Sequence, residues 1–67
     1  MKVKVNRDLT TYNYLKNEDS NLPQGHELNV IGSYDPAGSN NVEDGNGMYI
    51  IPGQYLDYVG EDEPDGI

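Results

Sequence analysis

Polar and β-branched residues alternate with period two in Lys2-Val3-Lys4-Val5-Asn6, which predicts a half-buried strand with Val3 and Val5 turned inward. Alternation returns in Glu27-Leu28-Asn29-Val30-Ile31-Gly32-Ser33-Tyr34 and predicts a second strand with Leu28 and Val30 inward. Met48-Tyr49-Ile50-Ile51 is a third apolar run, stopped by Pro52-Gly53, because proline cannot donate to a ladder and so cannot extend a central strand. Tyr55–Val59 predicts the last strand. Strands are therefore expected near residues 2–6, 27–34, 47–51 and 55–59, with Leu28, Val30, Ile50 and Leu56 sharing one core.

The segments between these runs are polar. Residues 6–25 are broken by Asn, Asp and Ser and end in Leu22-Pro23-Gln24-Gly25, the pattern of a long loop closing in a turn. The alternative is a short helix over Asp8–Lys16, capped by Asp8 with Leu9, Tyr12 and Leu15 at helical spacing, against which stand the poor helix formers Thr10, Thr11 and Asn13. Asp35–Gly47 is rich in Gly, Asn, Asp, Pro and Ser and predicts a long hairpin connection, with a brief strand near Asn41-Val42 before the turn signals of Asp44-Gly45-Asn46-Gly47. Residues 60–67 have too little apolar content to pack and are expected to form a disordered acidic tail after one small domain over residues 1–59. Short strands without a clear helix predict an all-β fold, a small antiparallel barrel of four to five strands that leaves few open sheet edges.

Length changes the energetics of that picture. A chain of 67 residues buries only about 60% of its unfolded surface, so its stability is marginal. Cysteine is absent, which removes disulfides and thiolate metal sites and fits a reducing compartment. The basic N-terminus is not followed by the apolar stretch of a signal peptide, and no run approaches the roughly 20 apolar residues of a membrane span, so a cytoplasmic location is expected. A short reading frame opening at Met1 is ordinary in a bacterium, a phage or another mobile element.

Charge is sharply segregated. Lys2, Lys4, Arg7 and Lys16 are the whole basic complement, and residues 17–67 carry eleven carboxylates without one lysine or arginine, for a net charge of −8. Such a field repels nucleic acid and anionic membrane and attracts basic partners. Catalysis is hard to build from this inventory: a nucleophile needs an adjacent base, and His26, the sole histidine, reads as a surface turn residue. No enzyme activity, cofactor or metal is therefore expected. Asp44-Gly45-Asn46-Gly47 resembles the middle of a calcium-binding loop, but Val42 and Gly53 fall where that loop requires an aspartate and a bidentate glutamate.

Tyr12-Asn13-Tyr14 followed by acidic Glu18-Asp19, then Gly25-His26-Glu27-Leu28-Asn29-Val30, then Pro52-Gly53-Gln54-Tyr55 before the last strand, resembles the order of signatures in Src-homology-three domains. The resemblance spans residues 12–59 and implies a small barrel that binds protein ligands. It also implies that Tyr12, Tyr14, Pro52 and Tyr55 gather on one face bordered by Glu18 and Asp19, a setting that favours arginine-bearing ligands. The chain departs from the family in two ways. Tryptophan, on which members stack proline ligands, is absent, and thirteen residues from Asp35 to Gly47 replace a connection that normally includes a strand pair.

All six aromatic residues are tyrosines, which suit both a thin core and an exposed contact surface because the ring packs while the hydroxyl stays wet. Three functions follow as expectations. The first is a noncatalytic module that binds a basic or arginine-bearing protein through the tyrosine face. The second is an inhibitor that mimics the phosphate array of nucleic acid, with carboxylates spaced over one surface. The third is an accessory subunit that completes its fold on a partner.

Overall fold

Val3 and Val5, both fully buried, place the first strand at the heart of the protein. In the computed structural model, which describes residues 1–60, strand β1 (Lys2–Val5) pairs antiparallel with β4 (Glu27–Val30) on one side and β7 (Leu56–Gly60) on the other. β4 continues to β5 (Ser39–Glu43) and β5 to β6 (Met48–Pro52), giving a five-stranded sheet in the order β6-β5-β4-β1-β7. A separate hairpin of β2 (Leu9–Asn13) and β3 (Glu18–Leu22) leans on β6, and a single 3-10 turn, Gly53–Tyr55, separates β6 from β7. The protein is all-β, as the alternation predicted, but the described residues form seven strands rather than four to five and the ladder does not close into a barrel. No helix among them is long and apolar enough to cross a membrane.

Residues 6–25 overturn both sequence expectations. Neither a loop nor a helix, they contain a hairpin with five paired positions from Leu9↔Leu22 to Asn13↔Glu18. Its period-two pattern is hidden because the inward positions Thr11, Asn13 and Ser20 are polar, and Asn13 is satisfied there by hydrogen bonds that include one to Ser20. Asn17 adopts φ 57° in the connecting turn, a left-handed conformation that asparagine accepts more readily than most residues. The brief strand expected near Asn41-Val42 is the full five-residue β5. β4 is shorter than expected and ends at Val30, with Gly32 at φ 88° turning the chain away. Tyr55 belongs to the 3-10 turn, and Gly60, read as the first tail residue, closes β7 opposite Lys2. The remainder of the expected acidic tail, residues 61–67, lies outside the described residues.

The core is Val3, Val5, Leu22, Leu28, Val42, Tyr49, Ile51 and Leu56. Leu28 and Leu56 are buried as expected and Val30 packs partly buried against the cluster, but Ile50 is 45% exposed. The register of β6 is the reverse of the expected one: Tyr49 and Ile51 face in while Met48, Ile50 and Pro52 face out. Four successive apolar residues give alternation nothing to select, and the pairing Val42↔Tyr49 and Asn40↔Ile51 decides the matter, since paired residues share a face. Pro52 is tolerated because β6 is the last strand of its ladder.

Two buried asparagines fix what this thin core cannot. Asn13, 1% exposed, accepts the backbone N–H groups of Leu15 and Lys16 on Oδ1 at 3.0 and 3.2 Å and that of Met48 at 3.4 Å. Its Nδ2 donates to Ser20 Oγ and to the carbonyl of Asn46, both at 3.3 Å. Gly47 is glycine because a Cβ there would collide with the Asn13 carboxamide. Asn40 acts likewise on the loop after β4, accepting Asp35 N at 2.6 Å and donating to Asp35 O at 2.8 Å.

The register predicts that Ile51→Ala costs about 2–4 kcal/mol, whereas Ile50→Ala stays within about 1 kcal/mol, measured by urea unfolding. A larger cost for Ile50→Ala than for Ile51→Ala would mean that β6 faces the other way. Asn13→Ala leaves several backbone groups without partners and is expected to cost about 2–3 kcal/mol, more than its small apolar contacts explain. A valine at position 13 that restored stability would show that shape, and not hydrogen bonding, is what the site requires.

Candidate functional site

The β2–β3 hairpin carries four of the six residues expected to form a binding face. Tyr12 points outward on β2, and Tyr14 follows just beyond its end; the rings meet edge to face with centroids 4.8 Å apart, at 39% and 52% exposure. Edge-to-face packing holds both rings in place without burying them. Tyr12 Oη donates to Asn17 Oδ1 at 3.3 Å, which fastens the ring to the hairpin turn. On β3, Asp19 lies directly opposite Tyr12 and Glu18 opposite Asn13, and neither carboxylate has an ion-pair partner among the described residues.

Pro52 and Tyr55 lie further along the same seam. Tyr14 N donates to Met48 O at 2.8 Å, so the end of β2 is fastened to the start of β6. Beyond that bond the strands do not form a ladder, and the seam opens into a recess of some 90 Å³ lined by Leu9, Thr10, Thr11, Ile50, Ile51, Pro52 and Tyr55. The six residues thus form two groups, tyrosines with carboxylates at one end and a Pro52–Tyr55 recess at the other. Met48 and Ile50, both exposed, lie between them on β6. Tyr55 is half-buried, packs against the core, and has the guanidinium of Arg7 at 4.6 Å from its ring centroid. That contact joins residues 48 positions apart, and no local pattern at Arg7 announces it.

His26 is also more engaged than a surface turn residue. Its Nε2 lies 2.7 Å from Asp44 Oδ2, and the Asp44 side chain is only 6% exposed. Asp44 accepts the N–H groups of Asn46 and Gly47 on Oδ1 at 2.9 and 3.0 Å and lies 3.3 Å from the hydroxyl of Tyr49, which donates to it. The turn expected at residues 44–47 is present and is organised by this carboxylate. Burial alone would push the Asp44 carboxyl up, but the bond from His26, the two backbone donors and the imidazole charge together hold it below the usual carboxylate range. Tyr49 moves the opposite way: burial, the Asp44 charge and the bond to Asp44 raise it, against a smaller lowering by Ser20, so its hydroxyl remains a donor.

The cluster has no nucleophile hydrogen-bonded to the imidazole, and its carboxylate is already saturated with donors. Among the described residues no group of three or more carboxylate, imidazole or thiol side chains is placed to hold a metal ion. The arrangement binds two turns together. Comparison with known protein families, with curated proteins and with solved structures finds no match to the chain.

Because Asp44 titrates lower in the folded state than in the unfolded chain, it stabilises the fold fully above the unfolded value of about 3.9. That contribution disappears as pH falls through the lower folded value. The urea midpoint is therefore expected to fall as pH is lowered below about 4, with a shallower fall in Asp44→Asn. Parallel pH profiles for the two proteins would assign the acid sensitivity to other carboxylates.

Proposed function

We propose that this chain is a noncatalytic protein-binding module that engages a basic or arginine-bearing partner along the β2–β6 seam. The observation that carries the reading is the Tyr12–Tyr14 pair, two rings held edge to face yet exposed, with Asp19 opposite Tyr12 and Glu18 next to it on β3, neither carboxylate ion-paired among the described residues. Rigid aromatic surface with an acid border suits a guanidinium, which gains cation–π contact and charge-assisted hydrogen bonds together. Exposed Met48, Ile50 and Pro52 extend the apolar strip beside it.

The resemblance to Src-homology-three domains supports the same reading. Tyr12-Asn13-Tyr14 leads from the end of β2 into an acidic stretch, here the turn and β3 of the hairpin, Leu28 and Val30 sit on the next strand of the main sheet, and Pro52-Gly53-Gln54-Tyr55 spans the 3-10 turn before the last strand. Without tryptophan, proline-helix ligands are not the expected class.

The distribution of charge favours this reading over mimicry of nucleic acid. Lys4 stands between Glu27 and Asp57 in the sheet, and Lys2 pairs with Glu27 at 3.6 Å, so the outward face of the central strands carries both signs. Asp44 is internal, and Asp8 and Asp35 accept backbone N–H groups in turns. A phosphate array needs a continuous single-sign face, which these placements interrupt.

The test is capture of partners from a lysate of the source cell at low and high salt, followed by affinity measurement on substituted proteins. Tyr14→Ala is expected to weaken the partner by about 1 kcal/mol or more without lowering the unfolding midpoint. Tyr55→Ala is a poorer probe because that ring also supports the core. Binding that is indifferent to Tyr14 but lost when Glu18, Asp19 and Glu43 are neutralised would instead indicate recognition of charge alone.

A further inference from the structure

Arg7 is a cation without an anion among the described residues. Lys2 is paired with Glu27 and Lys4 is flanked in register by Glu27 and Asp57, whereas Arg7 makes neither a hydrogen bond nor an ion pair with any described residue. Its partner is the Tyr55 ring, 4.6 Å from ring centroid to guanidinium. Stacking on a ring fixes a guanidinium while leaving its planar fork of N–H donors open, and a fork held in advance loses less freedom when it grips a carboxylate.

The same Tyr55 ring walls the recess, whose volume of some 90 Å³ is about three times the roughly 30 Å³ that a water occupies in the liquid. That suffices for one branched aliphatic side chain against Leu9, Ile50 and Pro52. In an extended peptide, side chains two residues apart point the same way at a spacing of about 6.6–6.8 Å. Tyr55 both lines the recess and carries Arg7 over its ring, so a segment lying across Tyr55 can present one side chain to each.

We infer that the recess and Arg7 form a two-part subsite for an extended segment of a partner protein, receiving an aliphatic side chain in the recess and a carboxylate two residues away on Arg7. The inference rests on the protein-binding reading and adds the opposite charge to it. Glu18 and Asp19 border one end of the seam and Arg7 the other, so the bound segment runs in one direction, with its basic residue toward Tyr12 and Tyr14 and its acidic residue toward Tyr55.

The test is titration of the isotope-labelled full chain, followed by NMR, with the peptides acetyl-Ser-Val-Ser-Glu-Ser-amide and acetyl-Ser-Glu-Ser-Val-Ser-amide and with counterparts carrying Gln or Lys in place of Glu. One of the two Glu peptides is expected to shift Thr11, Ile50, Tyr55 and the Arg7 Nε signal and to bind about five-fold more tightly than its Gln counterpart, the scale of one exposed charge pair. Arg7→Gln should abolish that preference while leaving the unfolding midpoint unchanged. Equal binding of the Gln or Lys peptides, or shifts confined to other surfaces, would overturn the subsite. So would an Arg7→Gln protein whose signals from residues 61–65 move without any peptide, because the chain's own acidic segment would then hold the site. Partner capture that still depends on Tyr14 after such a result would leave the protein-binding reading standing.

Discussion

The carboxamide of Asn13 joins the two sheets, and much of the remaining structure is arranged around that one side chain. It closes the turn of its own hairpin through Leu15 and Lys16 and reaches the start of β6 through Met48 and the preceding turn through Asn46. Glycine at 47 is the steric condition for that reach. A hydrogen-bonded amide is directional where apolar contact is not, so it sets the angle of the hairpin as well as its attachment. The seam is consequently fastened at the Tyr14–Met48 end and open at the Pro52–Tyr55 end.

A chain of this length has few ways to hold itself together, and the core of eight buried apolar residues is correspondingly thin. Internal polar clusters take up the task. Asp44 ties the 44–47 turn, His26 and Tyr49 into one hydrogen-bonded group, and Asn40 ties down the loop that follows β4. Each is nearly saturated with partners, the condition under which buried polarity specifies a structure instead of destabilising it. With the interior so small, apolar residues such as Met48, Ile50 and Tyr14 are left on the surface.

Charge is distributed by the same economy of elements. The segregation along the sequence does not survive folding as two opposed faces, because antiparallel pairing brings Lys2 and Lys4 beside Glu27 and Asp57. Among the charges without an ion pair in the described residues are Glu18 and Asp19 on β3, Lys16 in the hairpin turn, and Arg7 on Tyr55.

The sequence by itself determined the strands whose inward positions are apolar. Val3, Val5, Leu28 and Leu56 are buried where alternation put them, and Pro52-Gly53 ends a strand as its chemistry requires. It also placed the turn at residues 44–47, since that turn depends on neighbours close in sequence. Tertiary structure decided the rest. The β2–β3 hairpin was illegible because the polar residues Thr11, Asn13 and Ser20 face inward, and burying Asn13 is worthwhile only once Ser20, Asn46 and Met48 meet its carboxamide. The facing of Ile50 and Ile51 was undetermined because an unbroken apolar run carries no phase, and β5 supplied it. Arg7 on Tyr55 and His26 on Asp44 join residues far apart along the chain, so their pairing exists only through the packing that brings them together.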